Sequence, residues 1–290
     1  AKQMKLEVEG VDQNQKNWRL KLLKKGLSAL AAQQVKLLEE IAAYVGGHKA
    51  DIANGSFGTG FPQAKMITNG MFKLAMGREP STQEGDDIAK YFLNELIREG
   101  RQMVDAAPDT LFVFASGNDG LNNDIYPTSP TNIKADNVIS VGATYKYDFI
   151  APFSNYGIDN VDVAAPGMLI HSQIPGNEYL KVSGTSQAAP FVANIAAQIK
   201  DINKNLGPKD IKVIIMGTVD EKGFLKAKIK SKGIVNMERA TYAAKVSLTT
   251  DIQSAIEEAR ISITDVKRSS VKMLMNLDQI VPLPLTSQFR

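Results

Sequence analysis

One stretch decides how this chain is read: Ser183-Gly184-Thr185-Ser186-Gln187-Ala188-Ala189-Pro190-Phe191-Val192-Ala193. A turn of small residues runs straight into a helix, with Ser186 at its start. A helix N-terminus leaves backbone N–H groups unpaired and carries partial positive charge. A serine there sets its oxygen beside donors able to hold an oxyanion. Gly184 lets the backbone bend and lets a ligand come close. Ala188 and Ala189 leave room for tight helix packing. Pro190 is expected within the first turn or so, where its missing N–H costs little. Taken alone, a serine in this position is a helix N-cap; the eleven residues together carry the reading.

Working outward, residues 111–115 (Leu-Phe-Val-Phe-Ala) form a continuous apolar run, which suits a strand covered on both faces. It ends in Ser116-Gly117-Asn118-Asp119-Gly120. An asparagine held rigidly at a strand end can donate to a developing negative charge. The same residue can also be an ordinary turn asparagine. Further upstream, Asp51-Ile52-Ala53-Asn54 reads as a short buried strand running into Ser56-Phe57-Gly58, where exposed backbone groups could pair with an extended peptide. Residues 138–143 and 161–164 are two more strand candidates. Apolar residues at helical spacing (Leu27, Leu30, Val35, Leu38, Ile41, Ala42, Val45) predict a helix over 20–45, which Gly46-Gly47 ends. Further helices are expected over 86–105, 186–199, 208–216 and 237–245. Strands alternating with helices predict an α/β fold: a mostly parallel central sheet with helices on both faces.

The expected organisation is one domain over 1–246 and a C-terminal extension over 247–290. Residues 59–85 hold Gly, Pro and Met in irregular order and read as a long surface insertion. Residues 4–9 alternate like a strand. The extension carries a helical piece over 251–259 and alternating stretches over 261–266 and 271–277; Pro282 and Pro284 follow.

Together and in this order, the segments around Ser56, Asn118 and Ser186 resemble the subtilisin-like serine proteases (subtilases, the peptidase S8 family). Tyr126-Pro127, Asn137-Val138-Ile139-Ser140-Val141-Gly142-Ala143, Phe153-Ser154-Asn155-Tyr156-Gly157, Val163-Ala164-Ala165-Pro166-Gly167 and Gly233-Ile234-Val235-Asn236 agree in the same register. The resemblance covers about 1–246 and implies a subtilisin-like three-layer fold and a serine endopeptidase working through an acyl-enzyme. Ser186 would attack the scissile carbonyl, and Asn118 with the Ser186 N–H would hold the oxyanion. Ser56, Phe57 and Gly58 would pair with the substrate backbone. Ala115, Ser116 and Gly117 would line the primary specificity pocket. Gln187 stands where the family often has Met, and Phe191 and Asn194 replace a common His and Gly.

The resemblance also shows what this chain lacks. A serine needs a base, which the family supplies as a His oriented by an Asp, both earlier in chain order. The two histidines here, His48 and His171, lie outside any such context and read as structural. The chain starts Ala1-Lys2-Gln3, without Met. The expectation is a domain whose N-terminal part is absent from this chain, an enzyme nicked so that a separate N-terminal fragment of the same precursor, carrying Asp and His, stays docked. The alternative is a pseudoprotease, a subtilase-shaped binding or regulatory protein. A non-proteolytic acyl hydrolase is a third reading, disfavoured by a Ser56-Phe57-Gly58 segment that suits an extended peptide.

Composition narrows the remaining classes. The chain has 290 residues, a net charge of +3 and no cysteine, so disulfides, thiolate metal sites and cysteine catalysis are excluded. The scattered lysines make a solvated surface and do not argue for nucleic acid. No apolar run approaches the ~18 residues needed to span a membrane. The resemblance makes calcium a possible cofactor and export to the periplasm or medium the family habit. No metal ligands are assigned, since Asn122-Asn123-Asp124 and Asp159 to Asp162 read as turn residues. The expected partners are the fragment and a peptide or protein substrate.

Overall fold

The computed structural model describes residues 13–266, and the strand expected over 4–9 and the stretches expected after 266 lie outside them. The centre is a sheet in the order β1(Ile52–Gly55), β2(Leu111–Ala115), β3(Val138–Tyr145), β5(Val163–Pro166), β9(Gly233–Ile234), β8(Asp220–Glu221). The first five run parallel; β8 is antiparallel to β9, and a short β4(Phe149–Ile150) pairs antiparallel with β3. The hairpin of β6(Ile170–Ile174) and β7(Glu178–Val182) stands apart from this sheet.

The apolar run of β2 is buried at every position, as a strand covered on both faces must be. Alternation sends Leu111, Val113 and Ala115 into one core and Phe112 and Phe114 into another. The first core is capped by α4(Thr185–Ile202), whose buried face is Ala188, Ala189, Val192, Ile195, Ala196 and Ile199. Small residues at the start of that face let α4 lie close on β2, β3 and β5. Behind it pack α5(Pro208–Gly217), α6(Met237–Val246) and α7(Ile252–Ser262). The opposite face carries α1(Gln13–Gly47) and α3(Thr82–Asp105), with Ala42, Met103 and Val104 on the two phenylalanines. Helices on both faces of a mostly parallel sheet are what the sequence pattern predicts.

Four local expectations are corrected. Residues 59–85, read as irregular, hold α2(Phe61–Met76), a helix with Pro62 in its first turn and Gly77 as its left-handed C-cap at φ 72°. Phe61, Ala64, Thr68 and Phe72 fall on one face and join Leu23, Leu27, Ala31 and Val35 of α1 and Ile88, Phe92 and Leu96 of α3 in a separate core. Methionines and Gly70 interrupt the pattern, but the spacing of four side chains decides. In the extension, α7 runs past the expected end at 259, so 261–266 is no strand. Pro190 lies in the second turn of α4, not its first, because α4 begins at Thr185. On α1, Ile41 is exposed together with Leu37 and Tyr44 instead of joining the core.

Candidate functional site

The C-terminal ends of β1 and β2 and the N-terminus of α4 meet at one place, the usual position for chemistry in a parallel sheet. Past β2 the chain is held tightly. Ser116 Oγ donates to Asn155 O at 3.1 Å, Asn123 Nδ2 donates to Ser116 O at 2.9 Å, and Thr131 Oγ1 donates to Ala115 O at 2.6 Å. Gly117 then takes φ 110°, a conformation that favours glycine, and a Cβ there would lie 2.4 Å from Asn155 Nδ2. Its N–H donates to Thr185 Oγ1 at 3.2 Å. Asn155 completes the frame by accepting from the N–H groups of Asp119 and Leu121 at 2.9 and 3.1 Å.

This frame fixes the carboxamide of Asn118. Its Oδ1 accepts from Thr185 N and from Thr185 Oγ1, both at 2.9 Å. With the oxygen committed, Nδ2 turns the other way, and this buried donor has no hydrogen-bond partner among the described residues. An unpaired buried donor is costly, so it calls for an acceptor from outside. A Cβ on Gly184 would lie 3.4 Å from Asn118 Nδ2, 3.6 Å from Ser186 N and 2.8 Å from Gln187 Oε1. The missing side chain at 184 therefore leaves open a space that the Asn118 amide and the Ser186 amide border together. Two converging donors at a helix mouth are suited to negative charge developing on a carbonyl oxygen.

Ser186 is the second residue of α4. Its Oγ donates to Ser56 O at 3.5 Å, while Ser56 Oγ donates to Ser186 O at 3.0 Å, so the end of β1 and the start of α4 are joined reciprocally. Phe57 is partly exposed and meets Phe114 edge-on at 6.3 Å. Thr59 and Ser129 exchange backbone bonds of 2.8 and 3.1 Å, and a Cβ on Gly58 would lie 2.5 Å from Ser129 O. Of the segments Ser56-Phe57-Gly58 and Ala115-Ser116-Gly117, Ser56 touches Ser186 and Gly117 touches Thr185, while the Ala115 and Ser116 side chains are buried. Asp119, next to Asn118, is pushed up from the usual carboxylate range by burial.

Neither histidine is hydrogen-bonded to Ser186. His48 is exposed at the end of α1, where its Nδ1 is 2.8 Å from Tyr44 O and its ring lies tilted against Tyr44 with centroids 4.1 Å apart. His171 is exposed on β6 opposite Lys181. The acidic turns are used internally: Asp124 Oδ1 accepts from Asp159 N at 3.2 Å and from Asn160 Nδ2 at 2.9 Å. Among the described residues no group of three or more His, Cys, Asp or Glu side chains is placed to hold a metal ion. No helix among them is long and apolar enough to cross a membrane. Sequence reasoning named Asn118 and Ser186 but not Thr185, whose N–H and hydroxyl hold the Asn118 carboxamide oxygen. The signal was there in Thr185 itself, a hydroxyl just ahead of the serine.

The model of the subtilase family matches residues 4–241. The chain belongs to the subtilase family. Among the subtilases it is similar to, the thermophilic serine proteinase of Bacillus sp. (strain AK1) is 46% identical over 96 residues, 33% of this chain and 22% of that one. Subtilisin BL of Lederbergia lenta is 36% identical over 172 residues, 58% of this chain and 61% of that one. The chain thus spans about a fifth of the first relative and about three-fifths of the second. A solved protease of Pseudoalteromonas arctica PAMC 21717 aligns with a TM-score of 0.45 and 29% identity, covering 67% of this chain and 51% of that one. As in other subtilases, the fold here is a mostly parallel sheet between helices.

Proposed function

We propose that this subtilase domain hydrolyses peptide bonds through an acyl-enzyme on Ser186. The observation that carries this reading is the buried, unpartnered Nδ2 of Asn118, held by Thr185 toward the space that the Ser186 N–H also borders. Attack by Ser186 Oγ on a scissile carbonyl would move the oxygen's charge into that space, where two fixed donors stabilise it without rearrangement. Ser56, Phe57 and Gly58 bind the substrate backbone, and Ala115, Ser116 and Gly117 form one wall of the pocket for the residue preceding the scissile bond.

The proton of Ser186 needs an acceptor stronger than the carbonyl of Ser56. The base is a His oriented by an Asp, both on polypeptide outside this chain, read as a separate N-terminal fragment of the same precursor. Among the described residues the edge of the sheet at β1 is open, which supports this. The outer side of β1 has no strand partner among the described residues, and beside it a groove is lined by Leu38, Ile41, Ala42, Val45 and Phe57. Open apolar edges of parallel sheets are normally covered. A strand added parallel to β1 would end beside Ser186. In this reading the domain acts outside the cell, as is the family habit.

A fluorophosphonate probe applied to the native preparation, with intact-mass analysis of every polypeptide in it, tests both parts. Labelling at Ser186 with a second polypeptide present is the expected result. Labelling with this chain alone would sink the fragment. Silence with all polypeptides present would replace the peptidase with a subtilase-shaped binding protein.

A further inference from the structure

An α-helix bonds each carbonyl to the N–H four residues on. Four residues after Ser186 stands Pro190, which has no N–H. The carbonyl of the nucleophile's own residue is therefore denied its helical partner, and a helix carbonyl left bare in a half-buried place is unfavourable. Ser56 Oγ supplies the missing bond at 3.0 Å, reaching across 130 residues of chain from the end of β1. Ser56 is itself oriented, since Asn54 Nδ2 donates to its Oγ at 3.0 Å. In return Ser56 O receives Ser186 Oγ at 3.5 Å.

We propose that the side chain of Ser56 is a positioning residue for Ser186, required because Pro190 leaves the Ser186 carbonyl free, with Asn54 holding the Ser56 hydroxyl in place. The role is separate from binding substrate through the backbone of 56–58, and it rests on the peptidase reading above. The hydroxyl ties the first turn of α4 to the strand beside which substrate lies. The nucleophile then keeps its register against the Asn118 amide. The proline in the second turn leaves the helical acceptor site of the Ser186 carbonyl unfilled, so the Ser56 hydroxyl is its partner from the neighbouring strand end.

The test uses the native enzyme with every polypeptide it carries. Ser56→Ala is expected to lower kcat and the rate of fluorophosphonate labelling about tenfold, the worth of one hydrogen bond, with KM nearly unchanged. Ser56→Thr keeps the hydroxyl and is expected to retain most of the rate. The decisive variant is Ser56→Ala/Pro190→Ala, in which residue 190 regains an N–H for the Ser186 carbonyl; it is expected to recover most of what Ser56→Ala loses. A merely structural serine would not be rescued from position 190. Asn54→Ala, with the hydroxyl present but less oriented, should fall between wild type and Ser56→Ala, which keeps the proposal testable if Ser56→Ala folds poorly. Wild type that labels while Ser56→Ala labels equally fast overturns the proposal, as does a double variant no faster than Ser56→Ala. Wild type that never labels overturns the peptidase reading instead.

Discussion

Replacing Arg239 by Met should destabilise the far end of the sheet by about 3–5 kcal/mol, the usual result of leaving a buried carboxylate without its cation. The geometry supports a value in that range. Arg239 and Asp220 are almost wholly buried, and Nη1 lies 3.1 Å from Asp220 Oδ1. The same guanidinium donates to Val219 O at 2.9 Å, to Ile263 O at 3.0 and 2.9 Å, and to Asp265 Oδ1 at 2.9 Å. Met fills a similar volume, so the loss is electrostatic and hydrogen-bonding, not a cavity. Asp220 would keep only Asn236 Nδ2 and the Val266 N–H, each at 2.8 Å. Urea unfolding followed by circular dichroism reads the change as a lower midpoint at constant slope. Burial, the largest influence, already raises the Asp220 pKa, and removing Arg239 raises it further. A carboxyl with a raised folded-state pKa is disfavoured as pH rises through that value, so the deficit of Arg239→Met should be larger at pH 8 than at pH 4. Asp220→Asn/Arg239→Met should lose less than Arg239→Met alone, because no uncompensated charge remains. A loss below about 1 kcal/mol, or a double variant as unstable as the single losses summed, would refute the reasoning.

Other consequences can be measured separately. Asn118→Ala should lower kcat/KM by about 10²–10³, a size established for a donor of this kind in a subtilisin and taken over unchanged; steady-state kinetics with KM little altered checks it. Phe72→Ala should cost about 3–5 kcal/mol in urea unfolding if α2 is part of the core, whereas a loose surface insertion would lose less than about 1 kcal/mol. Glu84, at the start of α3, receives both Nη groups of Arg78 at 2.9 and 2.7 Å, and this hydrogen bonding holds its carboxyl below the usual range. A lowered carboxyl contributes stability above its unfolded pKa of about 4.3 that is lost as pH falls through the folded value. Glu84→Gln should therefore flatten the acid limb of the stability curve and lower stability at neutral pH, and equal acid limbs in the two proteins would contradict this.

Much of the sheet was legible because its signals are local. The run 111–115 is apolar at every residue, and a parallel strand covered on both faces has few other patterns open to it. Helix α5 was legible from its start at Gly207-Pro208, and α4 to within a residue of its start at Thr185, because chain direction there is set by backbone chemistry within a turn. Helix α2 was not, because Gly70 and three methionines blur its period; Phe61 and Phe72 show their common face only against α1 and α3.

The sequence by itself determined that a serine opens a helix, that an asparagine ends a strand, and that both belong to a subtilase pattern, since short motifs with strong local preferences encode each of these. Only the tertiary structure decided that Thr185 turns the Asn118 amide outward and that Ser56 answers the carbonyl Pro190 leaves free. Such pairings join segments 67 and 130 residues apart. Their existence depends on how β1, β2 and α4 are stacked, and no spacing along the chain records an orientation that packing alone imposes.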